Sequence, residues 1–160
     1  MIQRPSRGFP KALSRPPASS SFANVHFRVP LEFSTTKGWK ESAALLDSGA
    51  THNFVDRKFV ELHSLQTYLM DQPRELLLAD GRPSAGGSIT HRVLLPIRLD
   101  RHSEISEFFV ADVNRHPLVL GMPWLTLHNP QVHWPVHKIT FNSPYCLNHC
   151  FLGNRPCSVL

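Results

Sequence analysis

Short apolar stretches separated by Gly, Pro or Asp run through most of the chain, and several of them alternate apolar with polar residues. Alternation with a period of two is typical of strands that bury one face, so the pattern predicts an all-β domain. The stretches lie at Val25–Phe33, Ala43–Leu46, Leu76–Ala79, Ile89–Leu99, Ile105–Ala111, Leu118–Leu120 and Ile139–Phe141. We therefore expect one small β-domain over residues 23–142.

Helical pattern is scarce. A helix-like stretch runs from about Phe54 to Leu62 and is clearest over Asp56–His63. A shorter helical turn is predicted to begin at Pro123, because proline suits the first position of a helix. The aromatic residues near the C-terminal end of the domain are expected to be core residues; they are Trp124, Trp134 and Phe141.

The tetrapeptide Asp47-Ser48-Gly49-Ala50 follows one of the apolar stretches and places a carboxylate at the end of a buried type of strand. A carboxylate among apolar neighbours needs hydrogen bonds, a shared proton or a second carboxylate. Ser48 can supply a hydroxyl hydrogen bond, Gly49 permits a close backbone approach and a turn with positive φ, and Ala50 keeps the turn narrow. By itself, Asp-Ser-Gly is also a common turn sequence.

The context of this turn is more specific than the turn alone. Three motifs follow one another: LLDSGATHNFV at Leu45–Val55, PLVLGMPWL at Pro117–Leu125 and HNPQVHW at His128–Trp134. In this order they closely resemble the retropepsin-like proteases of gypsy-type LTR retrotransposons and their domesticated vertebrate relatives, over roughly Val25 to Phe141. The resemblance implies a small, closed-barrel-like acid protease fold with one or two short helices.

The same resemblance implies roles for individual residues. Asp47 takes the place of the catalytic aspartate, and Ser48 that of the residue whose hydroxyl bonds to the same turn of the other subunit. Gly49 and Ala50 complete the active-site loop. Leu120 and Gly121 correspond to the end of the strand that packs beneath this loop. No metal and no other cofactor is implied.

The number of Asp-Ser-Gly turns indicates how the protein assembles. Pepsin-like enzymes carry two such turns in one long chain, whereas this chain of 160 residues has one, so a homodimer would have to supply the second. The nearest rival is Ala79-Asp80-Gly81, but Asp-Gly between strands is an ordinary hairpin signal. By resemblance, these three residues belong to the flap that closes over substrate.

The basic charge of the chain is concentrated at its N-terminus. Residues 1–28 hold five basic and no acidic side chains, so the net charge of +5 lies there. Proline and serine predict a disordered arm over residues 1–22. Nucleic-acid contact by this arm is only weakly indicated. Its prolines fit poorly with a targeting helix, and no stretch of the chain reaches the length of a membrane span.

All three cysteines lie in the predicted C-terminal tail, residues 143–160. A zinc site using Cys146, His149 and Cys150 is one interpretation, but zinc requires four ligands at better spacing, so we expect no metal. Cys157 begins a tetrapeptide that matches a prenylation box, although no polybasic stretch precedes it. The odd number of cysteines without a secretory signal favours an intracellular, cytoplasmic setting.

The function expected from these features is that of a homodimeric aspartic endopeptidase. Paired Asp47 carboxylates would activate water and cleave extended polypeptides such as a retrotransposon polyprotein. A catalytically inactive, domesticated dimerisation or binding module is the main alternative, and a nucleic-acid adaptor acting through the basic arm is a third. The motif favours chemistry over the alternatives, because fold alone would tolerate Asn or Ala at position 47.

Overall fold

The structure, a computed structural model, describes residues 26–77, 81–113 and 115–151 and the backbone of Cys157–Ser158. The predicted arm, the flap residues Ala79 and Asp80, and the last two residues lie outside the described residues. The strands are β1 Arg28–Thr35, β2 Gly38–Leu46, β3 Phe54–Asp56, β4 Tyr68–Arg74, β5 Ile89–Leu99, β6 His102–Ala111, β7 Leu118–Leu120, β8 Gln131–His133, β9 Lys138–Thr140 and β10 Cys157–Ser158. The helices are α1 Arg57–His63, α2 Met122–His128 and α3 Pro144–His149, with a 3₁₀ turn at Trp134–Val136.

Six strands close into a barrel. Their hydrogen-bonded order is β6-β3-β7-β2-β1-β5, and β5 pairs in turn with β6, which closes the ring. β10 adds to β6 and β4 adds to β5, while β8 and β9 form a separate two-stranded sheet. The predicted all-β, closed-barrel-like fold is confirmed, although the described residues form three short helices instead of the one or two expected.

Alternate residues of the long strands point into the barrel and form its core. Every second residue is buried from Val29 to Phe33 in β1 and from Val93 to Leu99 in β5, as expected for strands with one face on the core. All three residues of β7 are buried. The largest fully buried apolar side chains are Phe33, Leu95, Ile97, Phe108, Leu118 and Leu120. A second apolar cluster comprises Phe54, Ile89, Phe109, Ala111 and Val119.

Several local predictions differ from the structure. The helix-like stretch begins as strand β3, and α1 starts only at Arg57 because the Asp56 carboxylate caps it, accepting a hydrogen bond of 3.0 Å from Lys58 N. Strand β4 was missed, since most of its residues are exposed and its apolar residues Tyr68, Leu69 and Met70 are consecutive instead of alternating with polar ones. In the stretch predicted as a strand after residue 75, Leu77 forms only an isolated bridge with Pro83.

Folded structure continues past residue 142, where the C-terminal tail was predicted to begin. Ser143 caps α3 through a 3.2 Å hydrogen bond from Cys146 N to its hydroxyl, and Cys146 and Cys150 are buried. Trp124 is buried as predicted, but the core prediction for Trp134 was wrong, because 66% of this residue is exposed. Among the described residues, no helix has the length and apolar character needed to cross a membrane.

Candidate active site

The backbone at the end of β2 fixes the position of Asp47. β2 runs parallel to β7, with Leu46 paired to Leu120, and Asp47 N donates a hydrogen bond of 3.0 Å to Leu120 O. β7 also pairs in the antiparallel sense with β3, which follows the turn. The Asp47 turn therefore leaves the barrel beside a central strand that is held on both of its edges.

The turn itself is closed by short hydrogen bonds. Gly49 N donates to Asp47 Oδ1 at 2.9 Å, and Ala50 N donates to Asp47 O at 3.1 Å. Gly49 does not adopt a positive φ, although glycine would permit one. Among the described glycines, positive φ occurs at Gly38, Gly81 and Gly87. What Gly49 contributes is space, since a Cβ there would lie 3.2 Å from Asp47 Oδ1. Asp47 is half-buried, whereas Ser48 is exposed.

Gly121 packs directly against the backbone of the Asp47 turn. A Cβ at this position would lie 2.2 Å from His52 O and 2.8 Å from Ala50 O, so only glycine fits. Met122 N also donates to Ala50 O at 2.9 Å. The structure thus brings the predicted loop residues and the predicted packing residues into direct contact, with the backbone after β7 lying against the backbone of the turn.

Asn53 is a supporting residue that the sequence analysis did not single out. Its side-chain oxygen accepts a hydrogen bond of 2.9 Å from Gly121 N, and its amide nitrogen donates to Glu107 O at 3.2 Å. The side chain therefore joins the turn to β6 and to the end of β7. The sequence signal for this supporting role was the position of Asn53 within the first motif, Leu45–Val55.

A depression beside Asp47 is lined by basic and aromatic groups that include His26, Arg115, His116 and Trp134. The rings of His26 and His116 meet edge to face, with centroids 5.0 Å apart. Burial and then the positive neighbours lower the pKa of His116, while the charge of Asp47 acts in the opposite direction. Asp47 therefore lies at the edge of a surface that continues to the exposed indole of Trp134.

The predicted flap corresponds to the connection between β4 and β5. Ser84 N donates to Leu76 O at 2.7 Å, and Leu77 bridges Pro83, so the two sides of this connection form a short hairpin. Gly81 lies near its tip with φ of 79°, a conformation that favours glycine. Ala79 and Asp80, the other two predicted flap residues, fall outside the described residues.

A second group of reactive side chains lies apart from the predicted site. Cys146 and Cys150 approach one another, as their helical spacing suggests, but the histidines beside them are His102 and His128. His149, considered as a zinc ligand from the sequence, is exposed, and its Nδ1 lies 2.9 Å from Tyr145 O. Sequence spacing missed this group because its members come from three separate elements.

The closed six-stranded barrel and its braced Asp-Ser-Gly turn define a retropepsin-like protease domain. Residues 43–150 match the family model for the PEG10/RTL1 protease domain, and because this match covers more than half of the chain, the chain belongs to that family. The resemblance to gypsy-type proteases and their domesticated relatives is thereby confirmed.

A solved structure supports this fold. The retroviral protease-like domain of Ddi1 from Leishmania major aligns with a TM-score of 0.55 and 19% identity, covering 74% of this chain and 89% of that one. The EIAV protease complexed with the inhibitor HBY-793 aligns with a TM-score of 0.47 and 14% identity, covering 68% of this chain and 92% of that one.

Proposed function

We propose that the protein is an aspartic endopeptidase whose active site forms between two copies of the chain, each contributing Asp47. The observation that carries this proposal is the Asp47 turn, which is half-buried, closed by its own hydrogen bonds and locked by Gly121. A structural turn could be closed equally well by an asparagine side-chain oxygen in this position and so does not require a carboxylate. Catalysis does, because the reacting group must be positioned before the substrate arrives.

The second carboxylate is supplied, in this proposal, by a second copy of the chain. The sequence contains one Asp-Ser-Gly turn, and water activation by this chemistry uses two carboxyl groups that share a proton. A two-fold axis beside Asp47 would bring the same surface of both copies together. Ser48, exposed next to Asp47, is then available to donate a hydrogen bond to the partner's turn.

The reaction follows from the shared proton. One carboxylate takes a proton from water as the water oxygen attacks the carbonyl carbon, and the other carboxyl group protonates the carbonyl oxygen. The resulting tetrahedral intermediate collapses as its hydroxyl proton returns to a carboxylate. The C–N bond breaks, and the amine leaves with a proton from the dyad. The chain needs no covalent intermediate for these steps.

The substrate expected at this site is an extended polypeptide. The hairpin that carries Gly81 supplies backbone groups, and an extended chain can pair with such groups as an added strand. Binding through the backbone leaves the side-chain pockets to set specificity. An unfolded linker of a retrotransposon-type polyprotein can adopt this extended conformation.

The direct test of activity is cleavage of a mixed peptide library by the purified protein between about pH 4 and pH 7. We expect cleavage to be highest at mildly acidic pH, because two facing carboxyl groups retain one proton there. A statine-type inhibitor should abolish it. A folded dimer that cleaves no peptide at any of these pH values would overturn the proposal and favour the binding module.

Trp134 is expected to contribute to the dimer interface. Its indole is 66% exposed, packs edge to face on Phe27 and lines the depression beside Asp47. Aromatic residues of this kind often dominate interfaces, so Trp134→Ala should raise the dimer dissociation constant about tenfold or more. Sedimentation velocity over a concentration series measures this constant.

The matched control is Leu62→Ala, because Leu62 is 76% exposed but lies on helix α1. This change should leave the dissociation constant within about twofold of the wild-type value, as expected for a surface substitution outside an interface. Equal dimer affinity for the Trp134 variant and the wild type would exclude this surface from the interface.

A further inference from the structure

Four buried side chains with metal-binding atoms lie close together where β6, α2 and α3 meet. They are His102 at the start of β6, His128 at the end of α2, and Cys146 and Cys150 on and just after α3. All four are buried, with residue exposures of 0% or 1%, and one ligand atom from each lies within 4.8 Å of the others.

We propose that these four residues form a structural zinc site that ties the C-terminal helix α3 to the barrel. A set of two thiolates and two imidazoles is typical of closed, tetrahedral zinc sites. The Cys-x₃-Cys pair on α3 and the two histidines from β6 and α2 would supply a complete coordination sphere, leaving no position for substrate. The site is therefore independent of the proteolytic chemistry of Asp47.

The distances around His128 agree with this geometry. Its Nδ1 lies 3.4 Å from Cys146 Sγ and 3.9 Å from Cys150 Sγ. Zinc bonds of about 2.3 Å to sulfur and about 2.0 Å to nitrogen place the sulfur and nitrogen atoms of a tetrahedron about 3.6 Å apart. The two observed distances lie on either side of this value, so His128 Nδ1 already lies near the spacing from both sulfur atoms that zinc would require.

Glu104 orients both imidazoles. His102 Nε2 lies 3.2 Å from Glu104 Oε1, and His128 Nε2 lies 3.0 Å from Glu104 Oε2. Trp124 Nε1 donates a further hydrogen bond of 2.6 Å to Oε1. Zinc-binding histidines commonly direct their other ring nitrogen to a carboxylate in this way, which leaves Nδ1 of both rings as the metal-binding atom.

His102 supplies an independent observation. Its ring is fully buried and stacks on Phe141 with centroids 4.0 Å apart, so its orientation is fixed. Nδ1 of this ring has no hydrogen-bond partner. A buried polar nitrogen without a partner is costly, and coordination of a metal ion would satisfy it.

The charges also balance. Two thiolates offset the double positive charge of zinc, and neutral imidazoles complete the sphere without adding charge. Glu104 is then the carboxylate of this cluster, with ring nitrogens of His102, His128 and Trp124 within 3.2 Å of its oxygens. A cluster without metal would instead hold two thiols and two histidines around a single carboxylate.

The test uses the full chain, purified without chelator and measured by native mass spectrometry and elemental analysis. We expect about one zinc ion per chain. After chelation, Co²⁺ should give the intense visible bands of tetrahedral cobalt together with a thiolate charge-transfer band. Chelation should also lower the melting temperature, because zinc binds the folded state.

The variants separate metal binding from packing. Cys146→Ser and Cys150→Ser are close in size to the wild type and should lose zinc and the charge-transfer band. His149→Gln is the matched control on the same helix and should retain both, because its side chain is exposed. Wild-type protein that takes up neither zinc nor tetrahedral cobalt would overturn the proposal, as would a Cys146–Cys150 disulfide or serine variants that bind zinc normally.

Discussion

Asp47→Asn is expected to lower the rate of peptide cleavage by about 10³-fold or more while leaving the dimer intact. Asparagine retains the shape of the side chain, and its oxygen can still accept the hydrogen bond from Gly49 N. It cannot share a proton with a second carboxyl group, so water activation is lost. Initial cleavage rates at mildly acidic pH, measured above the dimer dissociation constant, give the comparison.

Asp100→Asn is the matched control for this substitution. Asp100 lies in the exposed turn between β5 and β6 with φ of 55°, a left-handed conformation that asparagine also tolerates. The Asp100→Asn variant should cleave peptide at the same rate as the wild type. Full activity of the Asp47 variant would show that another group performs the chemistry.

Gly121→Ala should produce the largest loss of stability, about 3 kcal/mol in the free energy of unfolding. The new methyl group would meet the carbonyl oxygens of His52 and Ala50 at 2.2 and 2.8 Å. These are backbone atoms of the active-site turn and cannot rotate away as a side chain can. Relief of the clash would push the turn away from β7, so cleavage should also be lost. Urea unfolding measures the free energy.

Gly86→Ala tests whether steric contact is the cause. A Cβ at Gly86 would lie 3.1 Å from Asp112 Oδ2, but that atom is at the end of a side chain that can move. We expect a change of no more than about 0.5 kcal/mol. If Gly121→Ala were as stable as this control, the tight packing of the turn against β7 would be contradicted.

Local sequence signals predicted the all-β character of the domain and the Asp47 turn, and the family resemblance implied the closed barrel. The apolar stretches Ile89–Leu99 and Leu118–Leu120 coincide with β5 and β7. Residues buried alternately or in succession in a strand are apolar, so the sequence pattern shows them directly. Asp47 and Gly121 belong to motifs whose residues make the contacts that hold the turn, including the hydrogen bonds to Asp47 Oδ1 and from Gly121 N. Such positions can be identified before any tertiary contact is known.

Elements that depend on tertiary contacts could not be predicted in this way. β4 has little apolar pattern, since it forms an edge of the sheet and most of its residues are exposed. The pairing of His102 with His128 and the two cysteines depends on how β6, α2 and α3 pack together. Trp134 looked like a core residue because of its size, yet the folded chain leaves most of it exposed.

The central claim is that two Asp47 carboxylates, one from each copy, form a single active site. The most direct test mixes wild type with increasing amounts of Asp47→Asn at constant total concentration, after exchange of subunits, and measures peptide cleavage. If both carboxylates are needed, activity will fall as the square of the wild-type fraction. Activity that falls in direct proportion to the wild-type fraction, or less steeply, would show that one Asp47 suffices and would contradict the account.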